Sequence, residues 1–237
     1  MIIVAIIMGI YIFHRARLAR QRAVAGVLAD KGAIVKWNED KETVRSLVMT
    51  GMPVEQIKLK DIEQLVDLVA VNLDHAETED HHLARLADNH TLKELHLVGT
   101  VLSDEGCRTL GKLSDLETFD LRATFIGDEG LKEIAKLKGL RVAQTWISDA
   151  GMESIGALYR LKRLDIRYTD ISDDCLIDLA DLTSLKRLRA TGSRVTRAGL
   201  DELTRTIPDL KVEWFPKKQP RSASPTQTAK LPRSAVG

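Results

Sequence analysis

Cysteine, net charge and long apolar runs are all scarce in this chain, and each shortage removes a class of protein. Two cysteines in 237 residues cannot build the disulfide framework of a small secreted domain. A formal net charge of +1 gives no overall pull toward nucleic acid or acidic partners, so where the charges sit matters more than their sum. The longest apolar run, Met1 to Phe13, would cover roughly 20 Å as a helix, short of the ~30 Å hydrocarbon core of a bilayer. A nucleophile elbow, a phosphate loop and a dinucleotide fingerprint are all missing. The chain is therefore expected to be no enzyme and to hold no cofactor.

What the chain does have is a repeated phrase. Its fullest copy runs Phe119, Leu121, Thr124, Ile126, Asp128, Gly130, Leu131, then Ile134 and Leu137. The phrase stands again at Leu95, Leu97, Thr100, Leu102, Asp104, Gly106, Cys107, Leu110 and Leu113, and at Leu164, Ile166, Thr169, Ile171, Asp173, Leu176, Leu179 and Leu182. Self-similarity at such a period marks a solenoid. Anchored on the apolar pair, the copies begin at Val71, Leu95, Phe119, Leu140, Leu164, Leu188 and Val212. The spacings are 24, 24, 21, 24, 24 and 24 residues, by subtraction of those numbers. The short copy keeps its strand if Leu140 is aligned with Phe119. The lost residues then fall after Leu137, where a turn of helix can go without turning core residues outward.

Each part of the phrase has a physical job. Two apolar residues one apart point the same way from a strand. Thr100, Thr124, Thr145, Thr169 and Ser193 can bond nearby backbone as the chain leaves the sheet. Ser103-Asp104, Ser148-Asp149 and Ser172-Asp173 supply a cap and an acid at a helix start. Cys107 takes the place of Leu131 and Met152, and Cys175 that of Gly106 and Gly130, so both read as structural free thiols.

These residues resemble the leucine-rich-repeat family, in the variant whose second half reads I-x-D-x-G-L-x-x-L, over about 57–214. The repeat length is similar to that of the helix-containing ribonuclease-inhibitor type. The layout, ending its first part in Lys31-Gly32-Ala-Ile-Val-Lys-Trp37, also resembles bacterial membrane-anchored proteins of this kind. The resemblance implies an α/β fold: a right-handed, curved horseshoe segment with a parallel sheet on its concave face and short helices on its convex face. It also implies a recognition scaffold that meets another protein through the concave sheet.

Outside the array the chain divides as follows. Residues 1–13 are expected to anchor in a membrane, tilted into a thinned bilayer or continuing upstream of a mis-set start; a buried core helix is the alternative. No basic stretch precedes the run and no Ala-x-Ala follows it, which argues against a cleaved signal peptide. Residues 14–32 form a basic helix bearing Leu18, Ala23, Val24 and Leu28, stopped at Lys31-Gly32. Its Lys/Arg excess places the remainder in the cytoplasm. Residues 33–66 form a cap and truncated first coil, with a strand at Ala33–Trp37, an Asp40-capped helix from Lys41 to about Met49, a strand at Ile57–Leu59 and a helical turn at Asp61–Leu65. The repeats and terminal strand take 67–215. Residues 216–237, rich in Pro, Ser, Thr and Lys/Arg, form a disordered tail.

The residue between each inward pair should point out of the sheet: Asn72, His96, Asp120, Arg141, Asp165, Arg189 and Glu213. From Asp120 on, the signs alternate, which fits an internal ion-pair ladder as well as a hydrogen-bonding strip for a partner. The flanking columns add Arg122, Arg163, Arg167 and Arg187, while Gly139 and Ala143 leave a dip. The candidate partner surface is therefore His96, Arg122, Arg141, Arg163, Asp165, Arg167, Arg187 and Arg189, facing a protein with an acidic surface. A solvated face is the bland alternative. A second functional reading is an accessory or adaptor subunit of a membrane complex, acting through its N-terminal helix and cap. Nucleic acid and small-molecule substrates are not expected. Asp74, His75, Glu77, Glu79, Asp80, His81 and His82 form the one stretch suggestive of metal, a remote option because His75 and His82 fall at different points of one coil.

Overall fold

The computed structural model describes residues 2–53, 62, 65, 67–113, 115–134 and 138–216. The expected strand at Ile57–Leu59, most of the turn at 61–65, the inward Leu137 and nearly all of the 216–237 tail lie outside them. Helix α1 (Ile2–Asp30) leads into a single sheet of nine strands, hydrogen-bonded in chain order. The strands are β1 (Ile34–Trp37), β2 (Val44–Val48), β3 (Ala70–Asn72), β4 (Glu94–His96), β5 (Thr118–Asp120), β6 (Gly139–Arg141), β7 (Arg163–Asp165), β8 (Arg187–Arg189) and β9 (Lys211–Glu213). β1 runs antiparallel to β2, and every later pair is parallel. Between the strands run α2 (Asp80–Leu83), α3 (Asp104–Leu110), α4 (Asp128–Leu131), α5 (Met152–Gly156) and α6 (Arg197–Thr206), with 3₁₀ turns at Ala84–Leu86, Asp149–Gly151 and Asp173–Leu179.

One apolar core runs the length of the coil. Each inward pair is buried, from Val71 and Leu73 to Leu188 and Ala190, together with the helix-side Leu110, Leu131, Met152, Leu176 and Leu200. The short coil keeps its strand: Phe119 pairs with Leu140 and Asp120 with Arg141. Its helix α4 has 4 residues where α3 has 7, so the shortening falls on the helical side. Sheet register is preserved because a slip there would turn Leu140 toward water.

The N-terminal cap departs from expectation. Residues 44–48 form strand β2, not a helix. Val44, Leu47 and Val48 stand at helical spacing, but an extra residue at Arg45 breaks the ladder, since Lys36 pairs with Ser46 and Trp37 with Val44. That bulge lets both Val44 and Leu47 face the core. Asp40 closes the hairpin loop, its Oδ1 accepting from the N–H of Glu42 at 2.8 Å. Leu47 pairs with Val71, so the 24-residue register extends one coil earlier than the repeated phrase shows.

Helix α1 is continuous across the 13/14 boundary. Its buried positions are Leu18, Gln21, Ala25 and Leu28, a stripe at three- and four-residue spacing that docks on the cap; Ala23, expected on this face, is exposed. The helix ends as its sequence predicts: Gly32 takes φ +98°, and the Ala33 N–H donates back to the Leu28 carbonyl at 3.0 Å.

On the helical side the repeated aspartates staple neighbouring coils. Asp128 accepts from the Ser148 N–H at 2.8 Å and its hydroxyl at 2.7 Å; Asp149 does the same for Ser172, and Asp173 for Thr196. Each acid therefore anchors the residue that caps the next coil's helix, while that Ser or Thr hydroxyl accepts from the helix N–H itself. In the last full coil Arg197 occupies the aspartate position, at the end of the staple series among the described residues. The staples also explain the glycine that follows. A Cβ on Gly130 would meet Asp104 Oδ1 at 2.6 Å, closer than atoms pack. Cys107 and Cys175 are buried free thiols. Burial pushes both up from the ordinary thiol range, so neither presents a reactive thiolate.

Candidate interaction surface on the sheet

Parallel register, unbroken from β3 to β9, converts the sequence pattern into columns. Along the centre of the outer sheet face, Asn72, His96, Asp120, Arg141, Asp165, Arg189 and Glu213 stand on successive rungs. Asp120 is fully buried and collects three partners. Arg122 donates from Nε and Nη2 at 2.7 and 2.8 Å, Arg141 from Nη1 at 2.9 Å, and His96 Nδ1 lies 3.7 Å away. Burial alone would raise the Asp120 pKa, but the hydrogen bonds from Arg122 and Arg141, with His96 close by, hold its carboxyl well below the usual carboxylate range.

Asp165 repeats the arrangement with Arg167, whose Nε and Nη2 both donate at 2.8 Å. Bonding to these aspartates raises the Arg122 and Arg167 pKa values despite partial burial. The sequence pattern puts Arg122 and Arg167 among the open cations of the surface; the structure closes both onto the central column. Arg189 turns to the opposite neighbour, donating from Nε to Glu213 at 2.8 Å. The N-terminal rungs are polar: Asn72 accepts from the Thr50 hydroxyl and donates to Asp74, and Asp74 accepts from the Val98 N–H at 2.9 Å.

Arg163 and Arg187 remain exposed at the leading edge of the sheet. Arg163 lies across Gly139, with Nε and Nη2 each 3.7 Å from where a Cβ would stand, so the dip at Gly139 is covered. A pocket of about 80 Å³ opens beside it, lined by Arg141, Arg163, Asp165, Arg187, Arg189 and the backs of Leu140 and Leu164.

Several of the residues that suggested a metal are bonded within the fold. Asp80 holds Ser103, Asp74 holds Val98, and His82 Nδ1 accepts from the Glu79 N–H at 3.2 Å. His75 takes φ +57° in a turn. Among the described residues, no group of three such side chains could hold a metal ion.

Sequence reasoning misses the opposite rim, where the chain leaves the sheet. Val101, Phe125 and Trp146 occupy equivalent positions on successive coils, joined by backbone bonds from Phe125 to Leu102 and from Trp146 to Ile126. Trp146 is 75% exposed and Tyr168, on the next coil, 57%; together they flank a groove of about 430 Å³. Tyr168 stands in a left-handed column with Gly51, His75, Gly99, Ala123, Gln144 and Gly192. The available signal is that Phe125 and Trp146 stand where other copies carry Glu77, Asp170 and Arg194.

Comparison with known proteins agrees with this geometry. A family model described as Leucine Rich repeat matches residues 88–111. No curated protein matches the chain. Internalin C2 of Listeria monocytogenes is similar at 19% identity and TM-score 0.51, over 73% of this chain and 81% of the internalin. A leucine-rich-repeat protein of Leptospira interrogans shows 18% identity and TM-score 0.49, over 65% of this chain and 38% of its own. The Arabidopsis receptor kinase HAESA, solved with a peptide hormone and a co-receptor, shows 19% identity and TM-score 0.46, over 64% of this chain and 26% of the receptor. At these identities the likeness is one of fold. The tandem phrase, the matched repeat and a sheet in unbroken register from β3 to β9 agree on a leucine-rich-repeat fold.

Proposed function

We propose that the chain is a non-enzymatic recognition scaffold that binds another protein through the outer face of its sheet. One observation carries this reading: the sheet presents a continuous face with open cations on one edge and solvent-exposed aromatics on the other. Aromatic and arginine side chains supply most of the energy at protein interfaces, and a rigid backbone lowers the ordering cost of binding.

Membrane tethering through residues 1–13 belongs to this proposal. It is supported by the side chains from Ile6 to Phe13, which are helical and exposed, with a basic stretch at Arg15, Arg17, Arg20 and Arg22 next to them. Among the described residues no helix is long and apolar enough to cross a membrane, so the tether would be shallow or extended by further residues. The stripe at Leu18, Gln21, Ala25 and Leu28 is taken up by the chain's own cap, which favours the sheet over helix 14–30 as the partner surface.

The test is capture of a partner by full-length tagged chain, followed by parallel capture with Phe125→Ala/Trp146→Ala and with a convex-side control, Lys112→Glu/Arg205→Glu. Loss confined to the first variant, with an unchanged melting temperature, is the expected result. Loss confined to the control would overturn the assignment. Fractionation with protease protection of the tail reads tethering and orientation together.

A further inference from the structure

The leading column of the sheet carries charge that the fold does not use. Arg163, Arg187 and Lys211 pair side by side in β7, β8 and β9, which puts three cations on consecutive rungs about 4.8 Å apart. All three are exposed. Arg187 has one long contact, Nε to Glu213 Oε1 at 3.9 Å, and that carboxylate is already engaged by Arg189. Among the described residues, the side chains of Arg163 and Lys211 have no hydrogen bond or ion pair. Asp165 in the adjoining column is bonded by Arg167 through both oxygens and makes no ion pair with Arg163 or Lys211.

Like charges directly opposite one another destabilise a sheet, so this column costs the fold something and returns nothing to it. A planar guanidinium matches a carboxylate through two parallel hydrogen bonds. The pocket beside Arg163 and Arg187, about 80 Å³, is several times the ~10–15 Å³ that one water needs on the same kind of measure, which leaves room for a carboxylate. Three rungs span about 10 Å, and an extended chain places same-face side chains about 6.8 Å apart. Two acidic side chains at alternate positions therefore fit the column.

We propose that Arg163, Arg187 and Lys211 bind side-chain carboxylates of an extended acidic segment, with Glu or Asp at alternate positions, in a protein partner. The proposal rests on the sheet face being the recognition surface. Its probe is a short amidated peptide of alternating Glu and Thr, labelled for fluorescence anisotropy against the full chain in detergent. Binding should fall about tenfold or more in Arg163→Glu/Arg187→Glu, in the peptide with Gln for Glu, and at high salt. Arg163→Lys should retain part of it. Equal binding of the Gln peptide, or equal loss in Lys112→Glu/Arg205→Glu, overturns the proposal. Arg163- and Arg187-dependent sedimentation with phosphatidylserine vesicles, without peptide binding, overturns it in favour of a lipid. A native partner still captured by the double reversal but lost with Trp146→Ala overturns the acidic segment and leaves the sheet-face reading standing. Capture indifferent to Arg163, Arg187 and Trp146 removes both.

Discussion

Two columns of the same sheet, one residue apart, use arginine in opposite ways. In the central column Asp120 sits fully buried between Arg122, Arg141 and His96. In the leading column Arg163, Arg187 and Lys211 follow one another with no carboxylate between them. Parallel register makes the difference legible: in the alternating column Arg141 meets Asp120 and Arg189 meets Glu213, while in the leading column like charges stand side by side. Burial sets the scale. Unit charges at 4 Å interact by about 1 kcal/mol in bulk water and by about 4 kcal/mol at an effective dielectric of 20. The buried rung is therefore a stability element, and the exposed rungs are free for a partner.

The sharpest way to break this comparison is Asp120→Ala. It strips the shared acceptor from Arg122 and Arg141, which are about one-third exposed and can partly rehydrate. A loss of about 3 kcal/mol in chemical denaturation is expected, the low end of the range for breaking a buried pair. Arg163→Ala should change stability by no more than about 0.5 kcal/mol. Similar losses from both substitutions would abolish the distinction between the columns.

The same rung predicts a pH signature. Asp120 is held below the usual carboxylate range, so it contributes stability that is fully present above its unfolded value of about 3.9 and lost as pH falls toward its folded value. Wild type should therefore exceed Asp120→Asn by a constant margin at neutral pH, with the gap narrowing only below about pH 4. A gap that narrowed between pH 5 and 7 would assign the effect to another group.

The helical side offers a parallel contrast between Gly130, whose Cβ position faces Asp104 Oδ1 at 2.6 Å, and Cys175, which fills the same repeat position with a side chain. Gly130→Ala should cost about 1–2 kcal/mol through overpacking. Cys175→Gly should cost about 1 kcal/mol or less, as a small cavity with more backbone freedom. Thermal denaturation of the two variants checks the order; a reversal would mean that the staple yields easily.

The repeated phrase makes most of the fold legible from the sequence, because its apolar spacing fixes which residues face inward. The 21-residue copy keeps register as expected since sheet pairing tolerates no slip while a helix can lose a turn. The cap misleads because Val44, Leu47 and Val48 mimic a helical face, and the bulge that reconciles their spacing with a strand depends on β1 opposite. Outward columns follow from the same frame, yet side-chain direction does not. Whether Arg189 turns to Asp165 or to Glu213 is decided by rotamers that local sequence leaves open. Phe125 and Trp146 escape notice because they stand at a variable position of the phrase, beside Ile126 and Ile147, which fill the core.

The smallest effect sharpens the comparison most. If Arg163, Arg187 and Lys211 repel across the leading column, then removing the middle cation as Arg187→Gln should raise stability, by a few tenths of a kcal/mol at low ionic strength. The gain should vanish at 1 M salt, where the screening length falls to about 3 Å. Arg141→Gln, in the central column, should lower stability and keep most of that loss in salt, because the acceptor it leaves behind is buried. Denaturant curves for both variants at two ionic strengths supply the readout. A salt-independent loss from Arg187→Gln would show that the leading column belongs to the fold after all, and the strongest reason for seeking an acidic partner there would go with it.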